Sequence, residues 1–316
     1  MKLAQIKARI LPGRKIEGMS AVLLPFDARG GIDFDAFTQN FQRTLAAGLE
    51  PAVNMDTGYT NLLTADERRA VLQAATAAAN GARFVAGAFV EGERGEPAEA
   101  YRKAIAEIEA AGGLPILFQC SAIKRMSSPQ IVDFYRSIAK DCAQFLLFEL
   151  GEMFAPFGSI YALETVRELM QLPQIIGMKH SSLDRELEWE RLAVRDEIRP
   201  EFKVYTGNDL AIDMVIYGSD YLLGLSAFAP EAFAARDAWW EASDPRFYEL
   251  NDLLQYLGFF AFRPPVPAYK HTAAQFLHLR GRIATNRTHP QAQTRPESDL
   301  AILTDISDRL DRIVPR

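Results

Sequence analysis

The stretch Gln174-Ile-Ile-Gly-Met-Lys-His-Ser-Ser-Leu-Asp184 decides how the rest of the chain is read. Four near-apolar residues, Ile175 to Met178, run straight into Lys179, and small polar residues follow. A short apolar run bounded this way suits a fully buried strand. Lysine is among the residues least often buried, so an amine there must be paired, neutral or covalently used. Desolvation lowers a lysine pKa, and a neutral amine at physiological pH attacks carbonyl carbon. The alternative is a strand-end lysine that leans into water or pairs with a carboxylate.

Outward from this stretch, short apolar runs alternate with amphipathic segments in both directions. Strands are expected at 18–25, 52–55, 83–87, 114–118, 145–149, 175–179, 202–205 and 221–225. Helices are expected at 34–47, 64–80, 97–111, 129–139, 162–170, 184–194, 209–216 and near Glu231. Thr64 followed by Glu67 forms a capping box that opens the second of these helices. Strict βα alternation implies parallel strands, and eight units match a closed (β/α)8 TIM barrel. The competitor is a doubly wound open sheet, against which weighs the lack of a Gly-rich phosphate fingerprint after the first strand. After about residue 230 the alternation stops. Helical patterns at 245–260 and 267–279 flank a Pro-rich turn, 285–297 reads as a loop, and 299–313 reads as a last helix. The expected division is an N-terminal extension at 1–17, the barrel at 18–230 and a C-terminal helical domain at 231–316.

Composition sets outer limits. The chain has 316 residues, 48% of them apolar, and a formal net charge of −6 with both signs interspersed. That balance disfavours nucleic acid or an anionic membrane as the main partner. Residues 1–15 lack the apolar core of a signal peptide, and no run is long enough to span a bilayer. Cys120 and Cys142 fit buried free thiols in a reducing compartment, and a cytoplasmic location is expected.

In a barrel, chemistry gathers at the C-terminal edge of the strands. The polar residues expected there are Asn54, Asp56, Thr57 and Tyr59, then Gln119, Glu149 and Glu152, Lys179 and His180, Asn208 and Asp209, and Ser226. Side chains alternate along a strand, so Lys179 and His180 cannot both face inward. With Lys179 inside, Gly177 shares its face and is expected to leave space beside the amine's stem. Each candidate has a plainer reading. Asp56 and Thr57 before Gly58 suit an ordinary turn. Glu149 and Glu152 suit a solvated loop. His271 and His278 suit surface or packing roles, and the aromatic residues Trp239, Trp240, Phe259, Phe260 and Phe262 suit core or a subunit contact.

Four landmarks carry a resemblance to the dihydrodipicolinate synthase / N-acetylneuraminate lyase superfamily of Schiff-base enzymes. They are Leu24-Pro-Phe-Asp27 with Gly30-Gly-Ile-Asp33; Asp56-Thr-Gly58 with Leu63-Thr-Ala-Asp-Glu-Arg68; the Lys179 stretch; and Pro265-Val-Pro-Ala-Tyr-Lys270. The resemblance implies a (β/α)8 barrel with a C-terminal helical domain and a homo-oligomer, dimer or tetramer. It also implies pyruvate or another 2-keto acid bound covalently to Lys179, with no metal or organic cofactor. Thr57 would hold the keto-acid carboxylate, and Phe148, Gly207, Leu223 and Ser226 would wall the pocket. The departures are specific. Asp56 stands where the family has a threonine, Phe148 where it has a relay tyrosine, Met153 where the synthases have an arginine, and Ile123 near their second tyrosine. An authentic dihydrodipicolinate synthase is therefore not expected. The expected activity is a class I lyase or aldolase with Asp56 moving protons. The alternatives are a keto-deoxy sugar acid dehydratase using the same lysine, and a barrel that only binds a keto acid.

Overall fold

The computed structural model describes residues 3–315; the first two residues of the N-terminal extension and Arg316 lie outside the described residues. Eight strands form a closed parallel barrel: β1 (Gly18–Ala21), β2 (Glu50–Val53), β3 (Val85–Ala88), β4 (Leu114–Leu117), β5 (Phe145–Leu150), β6 (Ile175–Ser181), β7 (Lys203–Thr206) and β8 (Asp220–Leu223). Each pairs with the next in sequence, and β8 pairs back to β1 through Gly18 opposite Tyr221 and Ser20 opposite Leu223. The expected barrel is thus observed and the open sheet is not.

The helices are α1 (Leu3–Lys7), α2 (Phe34–Ala46), α3 (Ala65–Ala79), α4 (Pro97–Ala110), α5 (Ser121–Lys124), α6 (Ser128–Ala139), α7 (Leu163–Met170), α8 (Arg185–Ile198), α9 (Pro230–Glu241), α10 (Arg246–Ala261), α11 (Tyr269–Leu279) and α12 (Asp299–Ile313). Thr64 does cap α3, accepting from the Glu67 amide while the Glu67 carboxylate accepts from the Thr64 amide. The expected seventh helix is only a 3-10 turn, Ile212–Tyr217, closed by Gly218 at φ 105°. Gln255 of α10 takes over there, accepting from the Ile212 amide and donating to the Asp209 carbonyl. Helix α9 packs on β1, and α10, α11 and α12 pack on one another. None of the helices is long and apolar enough to cross a membrane, among the described residues.

Strand alternation sorts the core into two layers. Met19, Ala21, Ala52, Val85, Ile116, Leu146, Phe148, Tyr205 and Leu222 fill the barrel interior. Val53, Ala86, Leu117, Leu147, Met178, Val204 and Leu223 face the helices. Residues buried on both faces explain why the strands read as continuous apolar runs. Trp240 and Phe262 are buried, as a core role requires, whereas Phe259 is exposed. His271 is a packing residue that accepts from the Arg295 amide, and His278 lies against the Ile283 carbonyl.

Inside the barrel the backbones leave no room at β3. A Cβ on Gly87 would sit 2.1 Å from the Asn54 carbonyl oxygen and 2.7 Å from the Phe118 ring. Backbone cannot yield cheaply, so Gly87→Ala is expected to destabilise the fold by about 2 kcal/mol or more. The urea midpoint should fall accordingly; an unchanged midpoint would mean that the strand spacing at β2 and β3 is looser than described.

Candidate active site

Lys179 lies on β6 between Phe148 of β5 and Tyr205 of β7 in the strand register. Its side chain faces into the barrel, and the residue is only 7% exposed. The amine sits 4.3 Å from the centre of the Phe148 ring. Burial lowers its pKa from 10.5 to about 8, although Asp209 and Asp56 both favour the charged form. The same strand sends His180 the other way, where it is completely buried behind the barrel.

The cleft above the amine is lined by Asp56, Thr57, Phe148, Leu150, Phe154, Lys179, Ser181, Gly207, Asp209, Gly224 and Tyr269. It is narrow, with enclosed room on the order of one water molecule, and it opens to solvent. A larger cavity lies outside the barrel between α3 and α4. That cavity has no nucleophile at a strand end, so the smaller cleft is the site that can do covalent chemistry.

Two glycines make the cleft possible. A Cβ on Gly207 would stand 2.6 Å from Lys179 Cε and 2.0 Å from Ser181 Oγ. A Cβ on Gly224 would stand 3.0 Å from both Thr57 Oγ1 and the Tyr269 ring. Gly177 does not play this part: its missing Cβ faces Lys203 and Tyr205, two residues below the amine along the strand. The open space beside the stem comes from Gly207, directly after β7, and not from β6.

Three hydroxyl groups and two carboxylates share the cleft with the amine. Ser181, two residues after Lys179 and on its face, has a buried Oγ with no hydrogen-bond partner among the described residues. Thr57 is buried, and its hydroxyl is 2.8 Å from the Tyr269 hydroxyl. Tyr269 donates to Asp56 Oδ2 at 2.9 Å, and Lys270 reaches Asp56 Oδ1 at 3.1 Å. Tyr269 is the first residue of α11 and stacks on Phe262, which follows α10, with ring centres 4.2 Å apart. Asp209 accepts from the Leu225 amide at 2.8 Å, and burial pushes its carboxyl up to about 7 despite the nearby Lys179.

Of the expected residues, Lys179, Asp56, Thr57, Phe148, Gly207 and Asp209 are brought together. Leu223 and Ser226 are not. Leu223 faces the helices because of its register, and Ser226 spends its hydroxyl on the Leu223 carbonyl and on Ser20. Gly224 between them lines the cleft instead. Met153 is 44% exposed, and its neighbour Phe154 is the residue that reaches the cleft. Glu149 is not in a solvated loop. Strand β5 runs on to Leu150, so Glu149 turns outward and is fully buried. It receives His180 Nδ1 at 2.6 Å, Arg191 through two nitrogens at 3.0 and 2.9 Å, and the Tyr161 amide at 2.8 Å. Burial opposes its charge, but His180 and Arg191 outweigh it and hold the carboxyl at about 2. Glu152 is exposed and pairs with Lys124. Ser181, Leu150 and Phe154 were not singled out in the sequence, although the alternation of β5 and β6 gives Leu150 and Ser181 the same face as Phe148 and Lys179. Tyr269 has no such local signal.

Comparisons with known proteins agree with this architecture. The model of a family described as "Protein of unknown function (DUF993)" matches residues 20–313. A 4-hydroxy-tetrahydrodipicolinate synthase of Kosmotoga olearia is 27% identical over 214 residues, 67% of this chain and 70% of that protein. YagE, a prophage protein of the dihydrodipicolinic acid synthase family from E. coli K12 whose crystal structure holds pyruvate, superposes with a TM-score of 0.80 at 18% identity, covering 94% of this chain and 98% of that one. Dihydrodipicolinate synthase from Thermotoga maritima gives 0.78 at 18% identity, covering 94% and 99%. The resemblance read in the sequence is borne out at the level of fold.

A buried amine has a thermodynamic signature. Below about pH 8 Lys179 is protonated in both folded and unfolded chains, and the folded state carries the full penalty of burying the charge. From about pH 8 to 10.5 the folded amine loses its proton first, and the penalty fades. Lys179→Met should therefore be more stable than the parent by up to about 3 kcal/mol at pH 7. The difference should shrink towards pH 10.5 in urea denaturation. A difference that does not change with pH would argue against a desolvated, titrating lysine.

Proposed function

The chain belongs to the DUF993 family, and we propose that it is a Schiff-base lyase or aldolase that acts on pyruvate or another 2-keto acid. The observation that carries this reading is the Lys179 amine, buried beside an open cleft with its pKa down at about 8. Such an amine is mostly protonated at physiological pH, but its neutral fraction is far larger than an ordinary lysine's and can add to a ketone. The protonated imine that follows is an electron sink for breaking or making the adjacent C–C bond, and this chemistry needs no metal or organic cofactor. The synthase relative and the pyruvate held by YagE put a 2-keto acid first among candidate substrates.

The other lining residues take definite roles in this proposal. Ser181 offers the one cleft hydroxyl without a partner among the described residues, and it donates to the substrate's carboxylate or carbonyl oxygen. Thr57, whose hydroxyl is engaged by Tyr269, cannot serve alone as the carboxylate clamp. Phe148 forms a flat wall against the amine. No arginine lines the cleft among the described residues, and Asp56 and Asp209 do. A second carboxylate would be repelled there, so the aldehyde partner is uncharged and the enzyme is not a dihydrodipicolinate synthase.

One observation favours dehydration over C–C cleavage. Asp209, with its carboxyl near 7, can protonate a leaving hydroxyl at neutral pH. Products separate the two reactions: aldol cleavage releases a shorter keto acid and an aldehyde, whereas dehydration keeps the carbon chain whole.

Incubation with pyruvate and cyanoborohydride should add one reduced pyruvyl group, located on Lys179 by peptide mass. Lys179→Met should take up none. Thermal stabilisation by keto acids without any adduct would mean that the barrel only binds its ligand.

The rate of adduct formation should rise with pH towards a plateau above about 8, where the amine is neutral. Asp209 favours the ammonium form, so Asp209→Asn should move that rise to lower pH. A rise that stays in place would show that the two groups do not interact.

A further inference from the structure

We propose that Tyr269, contributed by the helical segment outside the barrel, is the proton relay of this site. In this role it carries protons between a substrate on Lys179 and the Asp56 carboxylate. The proposal rests on the imine reading above and adds the group that makes the imine kinetically accessible.

Imine formation is mainly a problem of moving protons. Phe148, the ring nearest the amine, has no exchangeable proton. Of the three cleft hydroxyls, Ser181 has no partner to pass a proton to among the described residues. Thr57 and Tyr269 do. The Tyr269 hydroxyl donates to Asp56 at 2.9 Å, so its oxygen is free to accept from Thr57 at 2.8 Å. The result is a directed chain from the cleft, Thr57 to Tyr269 to Asp56, that ends on a carboxylate. Lys270, itself buried, anchors the far oxygen of that carboxylate at 3.1 Å and leaves the near one to the tyrosine. Burial and the neighbouring Asp56 keep the Tyr269 phenol far from ionising. It therefore takes up a proton on oxygen as it gives up its own, and never stands as a phenolate.

The steps balance without any further reactant. Lys179 ammonium releases one proton, which passes through Thr57 and Tyr269 to Asp56. The amine lone pair then forms the N–C bond, and the C=O π pair moves to oxygen. A proton from the nitrogen passes to that oxygen and gives the carbinolamine. The proton stored on Asp56 returns through Tyr269 to the carbinolamine hydroxyl. The C–O bond breaks, water leaves, and the nitrogen lone pair closes the C=N bond. Ketone and ammonium have become protonated imine and water.

Two features show that the position of Tyr269 is built. Its ring is fixed by stacking on Phe262, and Gly224 opposite it lacks the Cβ that would press on both Tyr269 and Thr57. Tyr269→Phe keeps the ring and removes only the hydroxyl, so the stacking and the fold should survive.

The test is the rate of pyruvate adduct formation, trapped by cyanoborohydride, in the parent, Tyr269→Phe and Thr57→Val, at several imidazole concentrations. The relay predicts that both variants form the adduct about 10²-fold more slowly than the parent, at similar pyruvate half-saturation. It also predicts that imidazole, acting as an external proton carrier, speeds the variants and not the parent. A Tyr269→Phe rate equal to the parent's overturns the relay while leaving Lys179 as the imine former. A slow Tyr269→Phe that imidazole does not speed also overturns it, because the tyrosine would then only hold the site's shape. No adduct in the parent would overturn the keto-acid reading, and the relay with it.

Discussion

The constraint on which this site depends is the removal of one lysine amine from water by a closed ring of parallel strands. A charged group in the barrel interior is unfavourable unless something compensates it. Here the compensation is partial. Phe148 faces the amine at 4.3 Å, and Asp209 and Asp56 favour its charge without overcoming desolvation. The result is an amine neither fully protonated nor fully neutral near pH 8. A tighter ion pair would have made it a structural cation, and a wholly apolar setting would have left no group to take its proton.

The barrel supplies the amine, but it does not supply the rest of the machinery alone. The residue directly after β7, Gly207, contributes an absence that lets the Lys179 stem and the Ser181 hydroxyl stand side by side. The turn after β2 contributes Asp56 and Thr57, and the helical segment beyond the barrel contributes Tyr269 and Lys270. The C-terminal helices are therefore part of the site. Behind β6, Glu149 and Arg191 hold His180 in a fully buried network, so the residue next to the amine is locked facing away from it.

This division explains what was legible in the sequence. Strands buried on both faces must be apolar throughout, so their number and order could be read, and a lysine among them stood out. The capping box of α3 was equally local. Facing was harder. Leu223 sits beside the cleft in sequence yet points away from it, because a single step along β8 reverses the face, and Ser226, in the 3-10 turn Leu225–Ala227, turns its hydroxyl back onto Leu223 and Ser20. Glu149 looked like a loop residue because the true end of β5 lies beyond it. Tyr269 could not be found by any periodicity. It reaches the cleft only because the turn between α10 and α11 brings it against Asp56, and contacts that remote in sequence leave no pattern in either segment.

The charges of the cleft also favour one direction of chemistry. Two carboxylates beside one amine make a poor site for simply holding a keto acid, since its carboxylate gains little from Asp56 and Asp209. Imine formation changes that balance. In the proposed reaction the Lys179 nitrogen, neutral as a nucleophile, regains positive charge once it is bonded to the substrate carbon as a protonated imine. Asp209 and Asp56 would then face that cation in surroundings where such an interaction is stronger than in water, which holds the imine in its protonated, electron-accepting form. Stabilisation that appears with the covalent intermediate, and is weak for the bound substrate, is the kind that raises turnover and not mere affinity.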